Sequence, residues 1–217
     1  MWAMFDGILN RSRWPVVPLD EIKKRARLLV IDDSEFPYQA LFERDGYTLE
    51  KWPDVLDLPK LESGYFDILL LDLQGVGRQQ SAEQGLGILK HLRQTIPTQI
   101  IIAYSSADWP LKYQDFFRLA DAVLSKTSDY VDFKRQVDQL LDDRFSLGFY
   151  LARIRTIVGQ QIEDSTRLDR VSRRCILRNN PDKLRRYLED RALSPQLVGN
   201  VLSVVRTAIA VAALWKK

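Results

Sequence analysis

Short, continuous apolar runs separated by helical patterns constrain the fold of this chain most strongly. Such runs occupy residues 28–31, 67–71, 99–103 and 122–124, and a weaker one covers 48–52. Continuous apolarity over so few residues is typical of strands that are buried on both faces of a parallel sheet. Helical patterns fill the intervals at 35–45, 85–95, 109–119 and 130–141. The alternation predicts an α/β fold, a doubly wound five-stranded parallel sheet.

The flanking segments differ from this central part. Residues 1–26 contain a short amphipathic segment and then a proline-containing linker, and the α/β domain is predicted over 27–141. Strand signals vanish after that, and residues 142–217 are predicted to form a small all-α domain of about three helices. Because the apolar stripe of residues 133–141 continues through 147–158, the last helix of the α/β domain is expected to run on as one long helix.

Composition limits the chemistry that the chain can perform. The 217 residues include one histidine and one cysteine, too few for an intrachain disulfide framework or a zinc cluster. Any metal should therefore be a hard cation that is bound by oxygen. The free cysteine fits a reducing compartment, and no secretory signal or convincing membrane span is apparent, so we expect a cytoplasmic protein. From Leu147 onward, 14 Lys and Arg residues face 6 Asp and Glu, whereas the preceding part is acidic.

Polar side chains follow the predicted strands at the points where each strand ends. Asp32 and Asp33 follow the first run, Asp72 follows the third strand, and Ser105 and Lys126 follow the last two. Ligands of open parallel sheets bind at the carboxyl ends of the strands, where these residues should meet.

The residue types indicate phosphoryl chemistry on a carboxylate. Crowded carboxylates repel one another unless a cation lies among them, and Mg²⁺ prefers carboxylates, water and phosphate oxygens. With the cation bound, Asp72 could remain ionised and attack phosphorus. Lys126 could neutralise one phosphoryl oxygen, and the Ser105 hydroxyl could donate to another.

Several motifs resemble the receiver domains of bacterial two-component response regulators. They are LVIDDS (29–34), DILLLDL (67–73), IIAYSSA (101–107) and ADAVLSK (120–126), with GLGILK (85–90) resembling the start of the family's third helix. The resemblance covers residues 27–141. It implies that Asp72 is the phospho-acceptor, that Asp32, Asp33 and the Gln74 backbone carbonyl complete a Mg²⁺ site, and that Ser105 and Lys126 are the conserved hydroxyl and lysine of the family.

The resemblance also implies partners and a role. A histidine kinase or a histidine phosphotransfer protein would donate the phosphoryl group, and the chain would be a signalling protein rather than an enzyme. Three features depart from the family pattern: a long loop after Asp72 without the usual Met-Pro pair, Val123 at the switch aromatic, and Thr127 where proline is usual. Output coupling is therefore expected to differ from that of other receivers.

Three readings of the output remain open. The apolar stripe of the last helix needs burial in its own core or in a partner, and we favour self-association, so a homo-oligomer such as a dimer. The Arg-rich helices around Arg173 and Arg174 leave a nucleic-acid-binding regulator as an alternative. A constitutive interaction module that keeps the fold without phosphorylation is the third.

Overall fold

The chain divides into two compact units, each described here by itself. The computed structural model describes residues 14–105 and 118–214. The first unit spans 18–142, and the second contains 143–214 together with residues 14–17. The predicted amphipathic segment at 1–13 and most of the predicted helix at 109–119 lie outside the described residues.

The first unit is a five-stranded parallel sheet with helices on both faces. Its strands run in the spatial order β2-β1-β3-β4-β5, and every described neighbour pair is parallel. This confirms the predicted doubly wound α/β fold. The elements are β1 Arg27–Ile31, β2 Thr48–Trp52, β3 Ile68–Asp72, β4 Ile100–Ser105, β5 Ala122–Ser125, α1 Leu19–Lys23, α2 Gln39–Arg44, α3 Leu58–Glu62, α4 Gly85–Thr95 and α5 Tyr130–Arg144.

Alternate residues of the central strands fill two separate cores, as a sheet covered on both faces requires. Leu29, Leu71 and Ile101 belong to one cluster, which also contains apolar residues of α3 and α4. Tyr104 lies against the opposite face, where its ring centroid is 5.6 Å from that of Phe133 in α5. Both cores hold the strands in register, so the strand ends at the carboxyl edge have fixed positions.

Two short helices were not foreseen in the sequence. Helix α3 is only 5 residues long, too short for a periodic pattern, and Asp57 caps it by accepting a hydrogen bond from the Lys60 N–H at 2.8 Å. Helix α1 lies within the stretch that we interpreted as linker. Lys23 of α1 connects this helix to α5 of the same unit through an ion pair with Asp138 at 3.1 Å.

The described part of the second unit contains four α-helices and a 3₁₀ turn, rather than about three helices. They are α6 Leu147–Val158, the 3₁₀ turn Gly159–Gln161, α7 Ser165–Leu177, α8 Asp182–Glu189 and α9 Pro195–Leu214. The prediction of one continuous helix from the α/β domain into the second unit is wrong. Helix α5 ends at Arg144, and Ser146 caps a new helix by accepting from the Phe149 N–H at 3.2 Å. Helix α6 ends at Val158, and Gly159 follows it with a φ of +58°. Glycine adopts this backbone conformation without the steric cost that a side chain would impose.

Helix α9 is the apolar centre of the second unit. It packs against α6, α7 and α8. Its apolar stripe, which includes Val201, Val204, Val205 and Ala208, is buried inside the unit. By length and composition α9 is also the one described helix that could cross a membrane, and 44% of its apolar window is buried within the unit. A core helix of this kind meets the same criterion, so the feature is weak evidence for a span.

Candidate functional site

Carboxylates from two neighbouring strands converge at the carboxyl edge of the sheet. Asp32 and Asp33 directly follow β1, and Asp72 is the last residue of β3, which pairs with β1. One carboxylate oxygen from each of the three residues can be chosen so that all lie within 4.8 Å of one another. Such spacing is suitable for a single cation that is bound by oxygen ligands.

Lys126 lies among these carboxylates, just beyond the end of β5. Its Nζ donates to Asp32 Oδ1 at 2.9 Å and to Asp72 Oδ2 at 2.8 Å. The Asp32 and Asp72 side chains are 0% and 5% exposed, whereas that of Lys126 is 22% exposed. The ammonium therefore links two buried acids from different strands. The position of Lys126 depends on β5. The chain just before β5 is held by a hydrogen bond in which Asp121 accepts from the Ile101 N–H at 2.8 Å.

The charge balance of the cluster is unfavourable without a further cation. Burial raises the pKa of the Asp72 carboxyl above its usual value, although hydrogen bonds from Lys126 and the Gln74 N–H oppose the shift. Burial disfavours the charged form of Lys126 as well, but the two carboxylates hold its pKa above the ordinary lysine value. One ammonium thus faces three carboxylates, and a divalent cation would relieve the excess negative charge.

Asp32 offers an oxygen that has no well-placed partner among the described residues. Its Oδ1 accepts from Lys126 and from the Ser34 N–H at 2.8 Å, while its Oδ2 is buried and has no hydrogen-bond partner of good geometry among residues 14–105 and 118–214, although the Tyr104 hydroxyl lies nearby. A buried, unsatisfied carboxylate oxygen is costly unless an ion or water occupies the space beside it. The donor set of hard oxygens and this orphaned atom fit Mg²⁺.

Two glycines, Gly75 and Gly85, leave the space that the site needs. Gly75 has a φ of +83°, and a Cβ atom there would overlap the carboxylate of Asp33. A Cβ atom at Gly85 would overlap the backbone carbonyl of Asp72. These two glycines allow the loop after β3 and the start of α4 to approach the acidic cluster closely. The sequence showed both glycines, but their role depends on contacts that only the fold creates.

Comparisons with known proteins find similarity to solved receiver domains. A receiver domain protein from Methanospirillum hungatei JF-1 is 22% identical with a TM-score of 0.44, and the match covers 55% of this chain and 95% of that one. The receiver domain of a putative LuxO repressor from Vibrio parahaemolyticus is 18% identical with a TM-score of 0.48, covering 55% and 92%. TrrA from Thermotoga maritima, solved with Mg²⁺-BeF, is 23% identical with a TM-score of 0.43, covering 53% and 98%.

The first unit has a flavodoxin-like sheet. Its strand order is the one that defines this class of doubly wound sheet, in which ligands bind at the strand ends near the reversal of strand order. The solved structures similar to this chain include receiver domains of response regulators, each with a TM-score below 0.5. No protein-family model matches the sequence, and no curated protein is significantly similar to it.

The long loop after the receiver's third strand is held by side chains that the sequence analysis missed. Gln84 accepts the Gly75 N–H through Oε1 at 2.9 Å, and Asp54 accepts the Gly77 N–H. Gln80 donates to the Val55 carbonyl at 3.2 Å. Beside this loop lies a cavity of about 550 Å³, lined by Gln74, Gly75 and Arg78 among others. The cavity is thus lined by residues that directly follow Asp72 in the chain.

The fourth strand contributes Tyr104 and Ser105. Ser105 pairs with Ser125 of β5 through the backbone, and its side chain lies outside the described part of the structure. Tyr104 was not foreseen as a site residue. Its ring lies 5.1 Å from the Nζ of Lys126, and burial together with the nearby Asp32 raises the pKa of its hydroxyl. A bulky aromatic immediately before the expected hydroxyl residue was the available signal.

The two positions that depart from the receiver pattern lie near the site but contribute little to it. Val123 on β5 is 36% exposed. Thr127 follows Lys126, and its hydroxyl lies 2.7 Å from that of Ser125. No described peptide bond is cis, so Lys126 reaches the acids from a trans backbone.

Proposed function

We propose that this chain is a response regulator that accepts a phosphoryl group on Asp72 with Mg²⁺. The observation that carries the proposal is the juxtaposition of Asp72, Asp32 and Lys126, with a buried Asp32 oxygen for which the described residues provide no well-placed donor. A cluster in which one ammonium already bridges two acids is arranged to bind further positive charge and then a phosphoryl group.

In the proposed reaction an oxygen of the Asp72 carboxylate attacks the phosphorus of a phosphohistidine. The new O–P bond forms as the P–N bond breaks, and the histidine nitrogen leaves with the electron pair and takes up a proton. Asp32, Asp33, Asp72 and the Gln74 carbonyl would hold Mg²⁺, which neutralises charge on the phosphoryl oxygens when bound. Lys126 would exchange its contact with Asp72 for one with a phosphoryl oxygen, and Ser105 would donate to another.

The donor is proposed to be a histidine kinase or a histidine phosphotransfer protein in the cytoplasm. The second unit would then carry the output, through a change in self-association. Because the apolar stripe of α9 is already buried within that unit, association would have to use its outward-facing surface. Light scattering with and without beryllofluoride measures this change in the mass of the assembly.

Labelling with acetyl phosphate and Mg²⁺ tests the phosphoryl chemistry. Mass spectrometry of the full-length protein should find one added phosphoryl group, mapped to Asp72 after borohydride reduction. The label should be lost in Asp72→Asn and in the presence of a chelator. Asp142→Asn is the matched control, since Asp142 is an exposed carboxylate on α5 and should not affect labelling.

An unlabelled Asp72 would contradict the proposal and favour the constitutive interaction module. A label on another carboxylate that persists in Asp72→Asn would contradict it equally.

A further inference from the structure

The second unit contains a basic pocket that the receiver chemistry does not use. The pocket lies between the facing sides of α7 and α8 and has a volume of about 330 Å³. One carboxylate, Asp190, lines it, together with six basic side chains: Arg167, Arg170, Arg174, Lys183, Arg186 and Arg191.

The helical spacing explains this concentration of charge. Arg167, Arg170 and Arg174 recur three and four residues apart, so they lie on one face of α7. Lys183 and Arg186 are three residues apart on α8, and Arg191 follows the end of that helix. None of the six cations forms an ion pair with a carboxylate within residues 14–105 and 118–214. So many uncompensated like charges around one concavity repel one another, and an anion would relieve that repulsion.

Tyr187 provides a second, independent observation. It lines the pocket, is only 7% exposed, and its hydroxyl is buried without a hydrogen-bond partner. The guanidinium of Arg191 stacks 3.7 Å from the centroid of the Tyr187 ring and also donates to the Tyr187 carbonyl at 3.0 Å. Arg191 is thus held in place by the chain itself, whereas the Tyr187 hydroxyl, which has no partner among the described residues, is shielded from solvent.

We infer that this pocket binds the phosphate groups of a small molecule. Guanidinium groups match phosphate oxygens with paired hydrogen bonds, and Arg191 is already held in place for such a contact. A single concavity of this volume suits a small ligand such as a nucleotide or pyrophosphate. A nucleic-acid backbone would instead use cations that are spread along an extended surface.

The neighbouring arginines provide matched controls. Arg173 and Arg185 are exposed and adjacent in sequence to Arg174 and Arg186, yet neither lines the pocket. Removal of either member of a pair changes the net charge by the same amount. A general electrostatic effect should therefore be equal within a pair, whereas a bound ligand should distinguish its members.

Calorimetric titration of the full-length protein with pyrophosphate, ATP and a short duplex DNA tests the inference. Titrations contain a chelator, which keeps divalent metal from the receiver site, and salt at about 0.15 M, which screens exposed charges beyond roughly 8 Å. Pyrophosphate or ATP should bind at one site per chain. Arg174→Ala or Arg186→Ala should weaken binding about tenfold, while Arg173→Ala and Arg185→Ala leave it nearly unchanged.

Two further variants sharpen the result. Tyr187→Phe keeps the ring beneath Arg191 and removes only a hydroxyl that is shielded from solvent, so it should leave binding nearly unchanged. Asp72→Asn should bind as the wild type does, since the inference is independent of the phospho-acceptor. Tighter binding of ATP than of pyrophosphate would identify an organic phosphate as the ligand, and equal binding would identify phosphate alone.

Two outcomes would overturn the inference. One is that no small phosphate binds, as expected if the pocket is merely a solvated basic surface or is covered by an acidic segment of the chain. The other is that only DNA binds and that Arg173→Ala weakens it as much as Arg174→Ala, which would indicate an extended nucleic-acid surface.

Discussion

Replacement of Lys126 by methionine should destabilise the metal-free receiver unit and make it strongly dependent on magnesium. The Lys126 ammonium is the shared counterion of Asp32 and Asp72, at 2.9 and 2.8 Å. Methionine keeps most of the side-chain volume but leaves two nearly fully buried carboxylates facing each other. Removal of one partner of a buried ion pair typically costs about 3–5 kcal/mol.

The expected loss lies at or below the lower limit of that range. Lys126 is itself 22% exposed, so part of its charge interaction is already screened by water. Asp72, whose pKa burial already raises, can also take up a proton and limit the repulsion. We therefore expect a loss of about 2–3 kcal/mol, which lowers the melting temperature by roughly 5–10 °C for a protein of this size.

Calorimetric melting in chelator and in Mg²⁺ measures the effect. Magnesium should stabilise Lys126→Met more than wild type, because the ion then supplies the missing positive charge. Lys90→Met is the matched control: Lys90 pairs with Glu83 at 2.7 Å on the surface, with side chains 39% and 52% exposed, and such pairs contribute at most about 1 kcal/mol. If Lys126→Met melted like wild type in chelator, or gained no more from Mg²⁺, the proposed electrostatics of the site would be wrong.

Three further predictions concern single residues. Asp72→Asn should raise the melting temperature of the metal-free protein near neutral pH, because burial raises the pKa of Asp72 in the folded state and so makes its charge unfavourable. Calorimetry over a pH series should show that this gain vanishes below about pH 4, where the carboxyl is protonated in the unfolded chain as well. Gly75→Ala should weaken Mg²⁺ binding in calorimetric titrations by displacing Asp33, whereas Gly64→Ala, which has open space around it, should cost stability only. Asp138→Asn should lower the free energy of unfolding in urea by about 1–3 kcal/mol at neutral pH, and by less in acid, because the hydrogen bonds of Asp138 outweigh its burial and hold its pKa low; a loss that stays equal at all pH values would contradict this.

The sheet could be predicted because each strand carries its own local signal. The four apolar runs and the weaker run at 48–52 all became strands, with bounds shifted by a residue or two. Buried parallel strands are continuous in hydrophobicity, so neither register nor neighbours are needed to find them. Short helices such as Leu58–Glu62 have too few residues for periodicity, and they depend on caps and tertiary contacts instead.

The acidic cluster could be predicted for a topological reason. Once the strands are parallel, residues at their carboxyl ends must share one edge, so Asp32, Asp72 and Lys126 were expected together. The hydrogen bonds that fix them could not be foreseen. The hydrogen bond from the Gly75 N–H to Gln84 depends on the conformation of the loop. The position of Tyr104 beside Lys126 depends on packing across the sheet. The break between α5 and α6 was missed because a capping serine overrides a continuous apolar stripe.

The pocket between α7 and α8 illustrates a different limit. The sequence showed a cluster of basic residues but could not separate the arginines that face one another from those that do not. Arg173 and Arg174 are adjacent in sequence, yet only Arg174 lines the pocket. The difference arises because the side chains of successive helical residues point about 100° apart. A small error in the predicted orientation of the helix would therefore place Arg173, and not Arg174, on the side that lines the pocket.

A crystal structure of the full-length protein with Mg²⁺ and beryllofluoride tests the central claim most directly. We expect beryllium bonded to a carboxylate oxygen of Asp72, Mg²⁺ coordinated by Asp33 and Asp72, and Lys126 in contact with a fluorine atom. Absence of any adduct at Asp72 under conditions that saturate the metal, or Mg²⁺ bound away from the three carboxylates, would contradict it.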